Sequence, residues 1–300
     1  MLQTFDERNQ DLQVWINDRL IHRDQAGISP FDSVVQGGDG VWEGLRLYDG
    51  KIFKLIEHLE RLEGSARALA FQDIPPMEVL IDALRQTLAA NGMRDGVHIR
   101  LTLTRGVKIT SGMDPRLNQF GPTLIILPEY KPPVYQTDGL TFITASIRRF
   151  PPDCLDPKIH HNNLIQSILA KIEANAAGAD QALMLDREGF IAEAHGTHVF
   201  LVKNGCVFTS AADACPEGIT RETVLELCER NGIPAHVGRI STTDAYRADE
   251  LFCSGTMGEL ASVTQLDGRM IGNGQPGPVT RQLSDLYREE TRLSGYRIVE

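Results

Sequence analysis

Val41-Trp42-Glu43-Gly44-Leu45-Arg46-Leu47-Tyr48-Asp49-Gly50-Lys51-Ile52-Phe53 alternates apolar and polar residues on both sides of Asp49-Gly50, a pair that accepts the positive φ angles of a type I′ turn. It reads as a β-hairpin. HVFLVKNGCVFTS (198–210) repeats the signal at Asn204-Gly205, and QALMLDREGFIAEA (181–194) reads as a further hairpin. LQVWIN (12–17), VHIRLTLT (97–104), PTLIILP (122–128), LTFITASI (140–147), ELFCSG (250–255) and ASVTQLDGRMIG (261–272) read as strands. Between them the period changes: Leu55, Leu59, Leu62, Ala66 and Leu69 recur at helical spacing. A second helix runs from Pro76, a favoured first-turn residue, to Asn91-Gly92. Further helices are expected over 164–178, closed by Gly178, from about Ile219 to Asn231, and from about Pro278. Hairpins interspersed with helices specify an α+β (mixed α/β) protein with largely antiparallel or mixed sheets.

The chain has 300 residues, 42% hydrophobic and 23% charged, which excludes a disordered tail and favours two domains. Tyr130-Lys-Pro-Pro-Val-Tyr135 carries two adjacent prolines and no periodicity, as a stiff connector would. The expected division is therefore a smaller N-terminal domain over 1–130, a connector over 131–138 and a larger domain over 139–300. A net charge of −10 repels phosphate backbones and anionic lipid, so nucleic acid and membrane are not expected partners. The five cysteines (Cys154, Cys206, Cys215, Cys228, Cys253) form no CxxC pair, and the start MLQTFDERNQ lacks a secretory pattern; cytoplasmic residence is the expectation.

Gly272-x-Gly274-x-x-Gly277 fits a dinucleotide fingerprint, but Pro276 and Pro278 flank its end and too little chain remains for a βαβ unit, so it reads as a turn before the last helix. His160 and His161 near Asp156 lack the spacing that sets two metal ligands on one helix face, and no metal is expected. Only seven lysines occur (51, 54, 108, 131, 158, 171 and 203), and Lys158 is set apart. It follows Asp156-Pro157 in a connection just before an apolar helix.

Six segments together resemble the class IV pyridoxal-phosphate (PLP) aminotransferases, a family that includes branched-chain and D-amino acid aminotransferases and aminodeoxychorismate lyase. They are Val41-Trp-Glu-Gly-Leu-Arg46, His58-Leu-Glu-Arg61-Leu62, Lys158 before its helix, Glu193 in Ile-Ala-Glu-Ala-His-Gly-Thr-His, Gly218-Ile-Thr-Arg221, and Cys253-Ser-Gly-Thr256-Met-Gly-Glu259. They occur in the family's order and span roughly residues 12 to 285. The resemblance implies two α/β domains with pyridoxal 5'-phosphate between them, in a homodimer. It implies Lys158 as Schiff-base lysine and proton shuttle, Glu193 as partner of the cofactor's ring nitrogen, and Arg61, Ile219, Thr220 and Thr256 as phosphate ligands. Those residue types suit the tasks: a carboxylate favours a protonated ring nitrogen, and a helix N-terminus offers N–H donors to an anion.

On the substrate side the pattern departs from the branched-chain enzymes. Gly37 and Asn163 stand where those enzymes carry tyrosines, His198 where asparagine is usual, and His98-x-Arg100 where Tyr-x-Arg is common. Arg46 and Arg100 are candidate clamps for a substrate carboxylate, since a guanidinium binds one through two parallel hydrogen bonds. Trp42 and Met257 are candidate substrate contacts. The expected activity is transfer of an amino group between a small-molecule amino donor and a keto-acid acceptor in two half-reactions. The alternatives are a lyase of the aminodeoxychorismate type and a PLP-binding protein with little catalysis.

Overall fold

A computed structural model describes residues 3–135 and 139–300, so the expected connector at 131–138 lies partly outside the described residues, at 136–138. The chain divides into two compact units. One comprises the chain up to Pro132 together with Ile159–Asn163 and Thr291–Glu300; the other comprises Pro133–Lys158 and Leu164–Glu290.

In the first unit the strands are β1 (Gln13–Ile16), β2 (Arg19–His22), β3 (Gly40–Tyr48), β4 (Lys51–Ile52), β5 (Val97–Thr104) and β6 (Thr123–Tyr130), with helices α1 (Ser33–Gly37), α2 (Leu55–Ala68) and α3 (Met77–Ala90). With the C-terminal strand Tyr296–Arg297 they form one sheet in the order C-terminal strand, β4, β3, β5, β6, β1, β2. Every pairing in it is antiparallel. The β3–β4 turn is the expected one, with Asp49 at φ 42 and Gly50 at φ 74. Alternation sets Val41, Leu45 and Leu47 of β3 beside Val97, Ile99, Leu101 and Leu103 of β5, in one core with Leu59, Leu62 and Ala66 of α2 and Leu80, Leu84 and Leu88 of α3. Fully burying each such aliphatic side chain stabilises the fold by roughly 1.5–3 kcal/mol. Glu43 is the one charged member of that β3 row. Trp42, Gly44 and Arg46 belong to the opposite face.

The second unit holds β7 (Leu140–Arg148), α4 (Pro152–Leu155), α5 (Ile165–Ala176), β8 (Gln181–Leu185), β9 (Ile191–Ala194), β10 (His198–Lys203), β11 (Cys206–Ser210), α6 (Ile219–Arg230), β12 (Ala235–Gly238), α7 (Thr242–Tyr246), β13 (Glu250–Gly255), β14 (Glu259–Leu266), β15 (Arg269–Met270) and most of α8 (Pro278–Leu293). Its sheet runs β12-β11-β10-β13-β14-β7-β8-β9, with β15 on β14, and mixes parallel pairs (β7–β8, β7–β14, β11–β12) with antiparallel ones. Small residues bring α5 close to this sheet: Ala170 and Ala174 pack with Ala145, Ala182 and Met184. The glycine-rich turn before α8 has a structural task. Glu250 accepts from the Val279 and Thr280 N–H groups (3.0 and 2.8 Å) and from Thr280 Oγ1 (2.7 Å), and a Cβ on Gly277 would collide with its carboxylate. The carboxylate fills the helix N-terminus that a dinucleotide would need.

The short elements β2, β12, α1, α4 and α7 have no counterpart in the sequence reading. Each is four or five residues long, less than two full periods of a helix or a few alternations of a strand.

Candidate active site

Asp156 and Pro157 hold Lys158 in a turn: the Lys158 N–H donates to Asp156 Oδ1 (3.0 Å) and Pro157 is buried. The lysine side chain is 46% exposed, and its Nζ lies 3.9 Å from Glu217 Oε1. Glu217 directly precedes Gly218, the N-cap of α6, which offers no side-chain cap. Only glycine fits there, since a Cβ would stand 2.2 Å from Nε2 of the buried His198. The first turn of α6 carries Ile219 and the buried Thr220, whose Oγ1 lies 3.4 Å from Thr256 Oγ1. Thr256 and Met257 form the turn between β13 and β14, and the Met257 carbonyl accepts from Val134 N (3.1 Å). Lys158, Ile219, Thr220 and Thr256 are thus gathered at the start of α6, and Met257 follows Thr256 in its turn.

Glu193, on β9, is buried and paired with the guanidinium of Arg149, which is half-buried. Burial pushes Arg149 down to about 10, with Cys215 opposing. Cys215 is fully buried; burial pushes its thiol up, and Arg221 and Arg149 pull the other way. Arg149 escaped the sequence reading because Arg148-Arg149 ahead of two prolines carries no signal of a pairing with an acid some 44 residues on. The five cysteines are free.

In the first unit, Ile159–Asn163 runs beside β3. Trp42 N–H donates to the His160 carbonyl (3.0 Å), and Asn162 N–H to the Gly40 carbonyl (2.9 Å). Trp42 stacks on His160 at 4.4 Å, and the Arg100 guanidinium lies 4.0 Å from the Trp42 ring centre. Arg100 also donates to Asn162 Oδ1 (3.1 Å). The β3–β5 register sets Arg46 opposite His98 and Gly44 opposite Arg100, on the Trp42 face. Arg46 and His98 are buried, yet Nε and Nη1 of Arg46 and both His98 nitrogens lack a hydrogen-bond partner. Burial, then the charges of Lys131, Arg46 and Arg100, pushes His98 down to about 3.

On the other face of β3, Arg61 of α2 grips Glu43 through Nε (2.8 Å) and Nη2 (2.7 Å). Glu43 and its partner His58 (2.6 Å) are both buried. Sequence reasoning carried Glu43 only inside a longer motif. An acid at an inward position of an apolar strand was the available clue. His161 accepts from the Asn163 N–H at 3.1 Å, and among the described residues no group of three His, Cys, Asp or Glu side chains is placed to hold a metal.

A family model described as amino-transferase class IV matches residues 40–266. The chain is 53% identical, over 97% of its length, to the branched-chain-amino-acid aminotransferase-like protein 2 of Arabidopsis thaliana, of which it covers 52%. It thus spans about half the length of that plant relative. To the putative branched-chain-amino-acid aminotransferase of Methanocaldococcus jannaschii it is 39% identical, over 96% of this chain and 100% of that protein. The solved branched-chain amino acid aminotransferase of Thermobaculum terrenum, in its PLP form, matches with a TM-score of 0.84 at 29% identity, over 95% of this chain and 95% of that one. The six segments and the two mixed and antiparallel sheets have the same source: the chain belongs to the class IV aminotransferases.

Proposed function

We propose that the protein is a pyridoxal 5'-phosphate-dependent aminotransferase that moves an amino group between an amino acid or amine and a keto acid in two half-reactions. The observation that carries this reading is the gathering of Lys158, the uncapped start of α6 and the Thr220–Thr256 hydroxyl pair. The residues fit the cofactor. An uncapped helix N-terminus presents N–H donors and the positive end of a dipole, which suits a phosphate. Ile219 and Thr220 would hold it through their N–H groups, Thr256 through its hydroxyl and Arg61 through its guanidinium. The buried Glu193 carboxylate, its charge paired with Arg149, would face the ring nitrogen.

When bound, the cofactor supplies an aldehyde carbon that takes up amino groups and a ring that withdraws electrons from the substrate Cα. Lys158 Nζ would hold that carbon at rest and, once displaced, carry the proton to and from the substrate Cα. On the substrate side, Arg46, Arg100, Trp42 and Met257 are the proposed contacts. A buried donor without a partner costs about 1–3 kcal/mol, and a substrate carboxylate would satisfy those of Arg46. The lyase reading and that of a PLP-binding protein with little catalysis gain no observation.

The proposed assembly is a homodimer, supported by a row of exposed apolar residues on α5, Ile165, Ile168, Leu169 and Ile172. The proposed residence is cytoplasmic, which free cysteines suit; among the described residues no helix is long and apolar enough to cross a membrane. Nucleic acid is not a proposed partner. The test is to load the protein with PLP, record its visible spectrum and add L- and D-amino acids and (R)-amines. A true donor bleaches the visible band, and pyruvate or 2-oxoglutarate restores it. Lys158→Ala is expected to abolish both responses; unchanged band and turnover in that variant would overturn the assignment.

A further inference from the structure

Three side chains converge on one carboxylate in the core of the first unit. Glu43 is fully buried, in a β3 row whose other members, Val41, Leu45 and Leu47, are apolar and equally buried. An ionised carboxylate in such a place is costly unless every lone pair is met. Arg61 Nε donates to Oε1 and Nη2 to Oε2, at 2.8 and 2.7 Å. His58 Nδ1 lies 2.6 Å from Oε2, and His160 Nδ1 lies 3.4 Å from Oε1. His160 is itself fixed, its N–H donating to Ser65 Oγ at 3.1 Å and its ring stacked on Trp42. Burial works to raise the Glu43 carboxyl; the charges of His160 and Arg61 and the hydrogen bonds from both overcome it and hold the group well below the usual carboxylate range.

We propose that Glu43 is the positioning residue of the phosphate site: it fixes the plane and rotamer of Arg61, so that the guanidinium meets the cofactor phosphate already ordered. The inference rests on the proposed role of Arg61 as a phosphate ligand. The guanidinium is planar, and a carboxylate that takes its Nε–Nη2 edge with both oxygens sets the orientation of the whole fork. Arg61 is 17% exposed while its partner carboxylate is wholly buried, so the arginine is anchored from the core side and directed outward. A long side chain ordered beforehand loses no rotamer freedom when the anion arrives, and the gain appears as affinity for the phosphate alone. His58 completes the anchor at Oε2, and His160, whose Nδ1 lies 2.5 Å from the Trp42 carbonyl, stands beside Oε1 at 3.4 Å.

The readout is the affinity for PLP divided by that for pyridoxal, which lacks the phosphate, measured by titrating the cofactor-stripped protein and following its visible absorbance. Glu43→Gln is expected to lower that ratio by about ten- to a hundred-fold, the worth of one or two charged hydrogen bonds, with pyridoxal affinity within about twofold of the wild type. Arg61→Ala is expected to lower it at least as far, and Glu43→Gln to have no further effect in the Arg61→Ala background. A merely structural role for Glu43 would weaken both ligands alike and leave the ratio intact, which would overturn the inference while Arg61→Ala still lowered it. A ratio unmoved by Arg61→Ala would instead overturn the phosphate reading of Arg61 and the inference with it. Should Glu43→Gln not fold, Glu43→Asp keeps the charge, withdraws it by one methylene, and reads the same ratio with the same two outcomes.

Discussion

His98 is 5% exposed, and burial, followed by the charges of Lys131, Arg46 and Arg100, takes its imidazole from 6.5 down to about 3. The native state therefore binds fewer protons than the unfolded chain between those values, so its contribution to stability is lost as the pH falls through 6.5. The loss is about 1.4 kcal/mol per pH unit, or about 2 kcal/mol by pH 5. His98→Asn is expected to cost about 2 kcal/mol less at pH 5 than at pH 7, read as the difference in urea unfolding between variant and wild type at each pH. An equal cost at both values would show the imidazole to titrate normally. His195, pushed down to about 4 by burial and by Lys171 and Arg149, carries the same sign, so the variant keeps part of the acid sensitivity. Sequence placed His98 in a strand beside Arg100. Its isolation from any acceptor was not legible, because it depends on the β3–β5 register that sets Arg46 across from it.

Among the elements, two of the Asx-Gly hairpins, those at Asp49-Gly50 and Asn204-Gly205, test how a local signal becomes a tertiary one. Gly50 and Gly205 share φ 74, and Asn204 and Asp49 precede them with positive φ. Beyond that they differ. A Cβ on Gly205 meets nothing within 4 Å, whereas one on Gly50 would stand 2.5 Å from Arg297 Nη1 and 2.6 Å from the Val299 carbonyl. The Gly50 carbonyl also accepts from Ile298 and Val299 N–H, at 2.9 and 3.2 Å. Gly205→Ala is expected to cost about 1 kcal/mol, the strain of a left-handed residue alone. Gly50→Ala adds displacement of the C-terminal strand and is expected to cost about 2–3 kcal/mol, with the difference read from chemical unfolding midpoints. Equal costs would mean that this strand yields freely. Both turns were legible because a type I′ turn is a two-residue event. The packing of Gly50 against residues some 250 positions away was not, and the same holds for Gly277 against Glu250.

At the scale of the whole molecule, the six segments that identify the family were visible in the sequence as an ordered set, and with them the proposed cofactor contacts Lys158, Arg61, Glu193, Thr220 and Thr256. What that order could not give is the supporting layer: Arg149 behind Glu193, His198 against Gly218, Glu43 behind Arg61. These are residues whose meaning appears only when distant strands align. One surface feature was legible in half. The periodicity of 164–178 marked a helix, but α5 carries two apolar faces: Ala170 and Ala174 serve the core, while Ile165, Ile168, Leu169 and Ile172 are 61%, 51%, 43% and 56% exposed. Four large aliphatic side chains at i, i+3, i+4 and i+7 form a stripe that water disfavours, and covering each would contribute up to roughly 1.5–3 kcal/mol. In the proposed homodimer a second copy covers it. Ile168→Glu/Ile172→Glu is therefore expected to sediment at half the wild-type mass at micromolar concentration, with little change in the far-ultraviolet circular dichroism, because neither side chain supports its own unit's core. A double variant that stays dimeric would move the interface off α5, and a wild-type chain that sediments as a monomer would remove the dimer altogether.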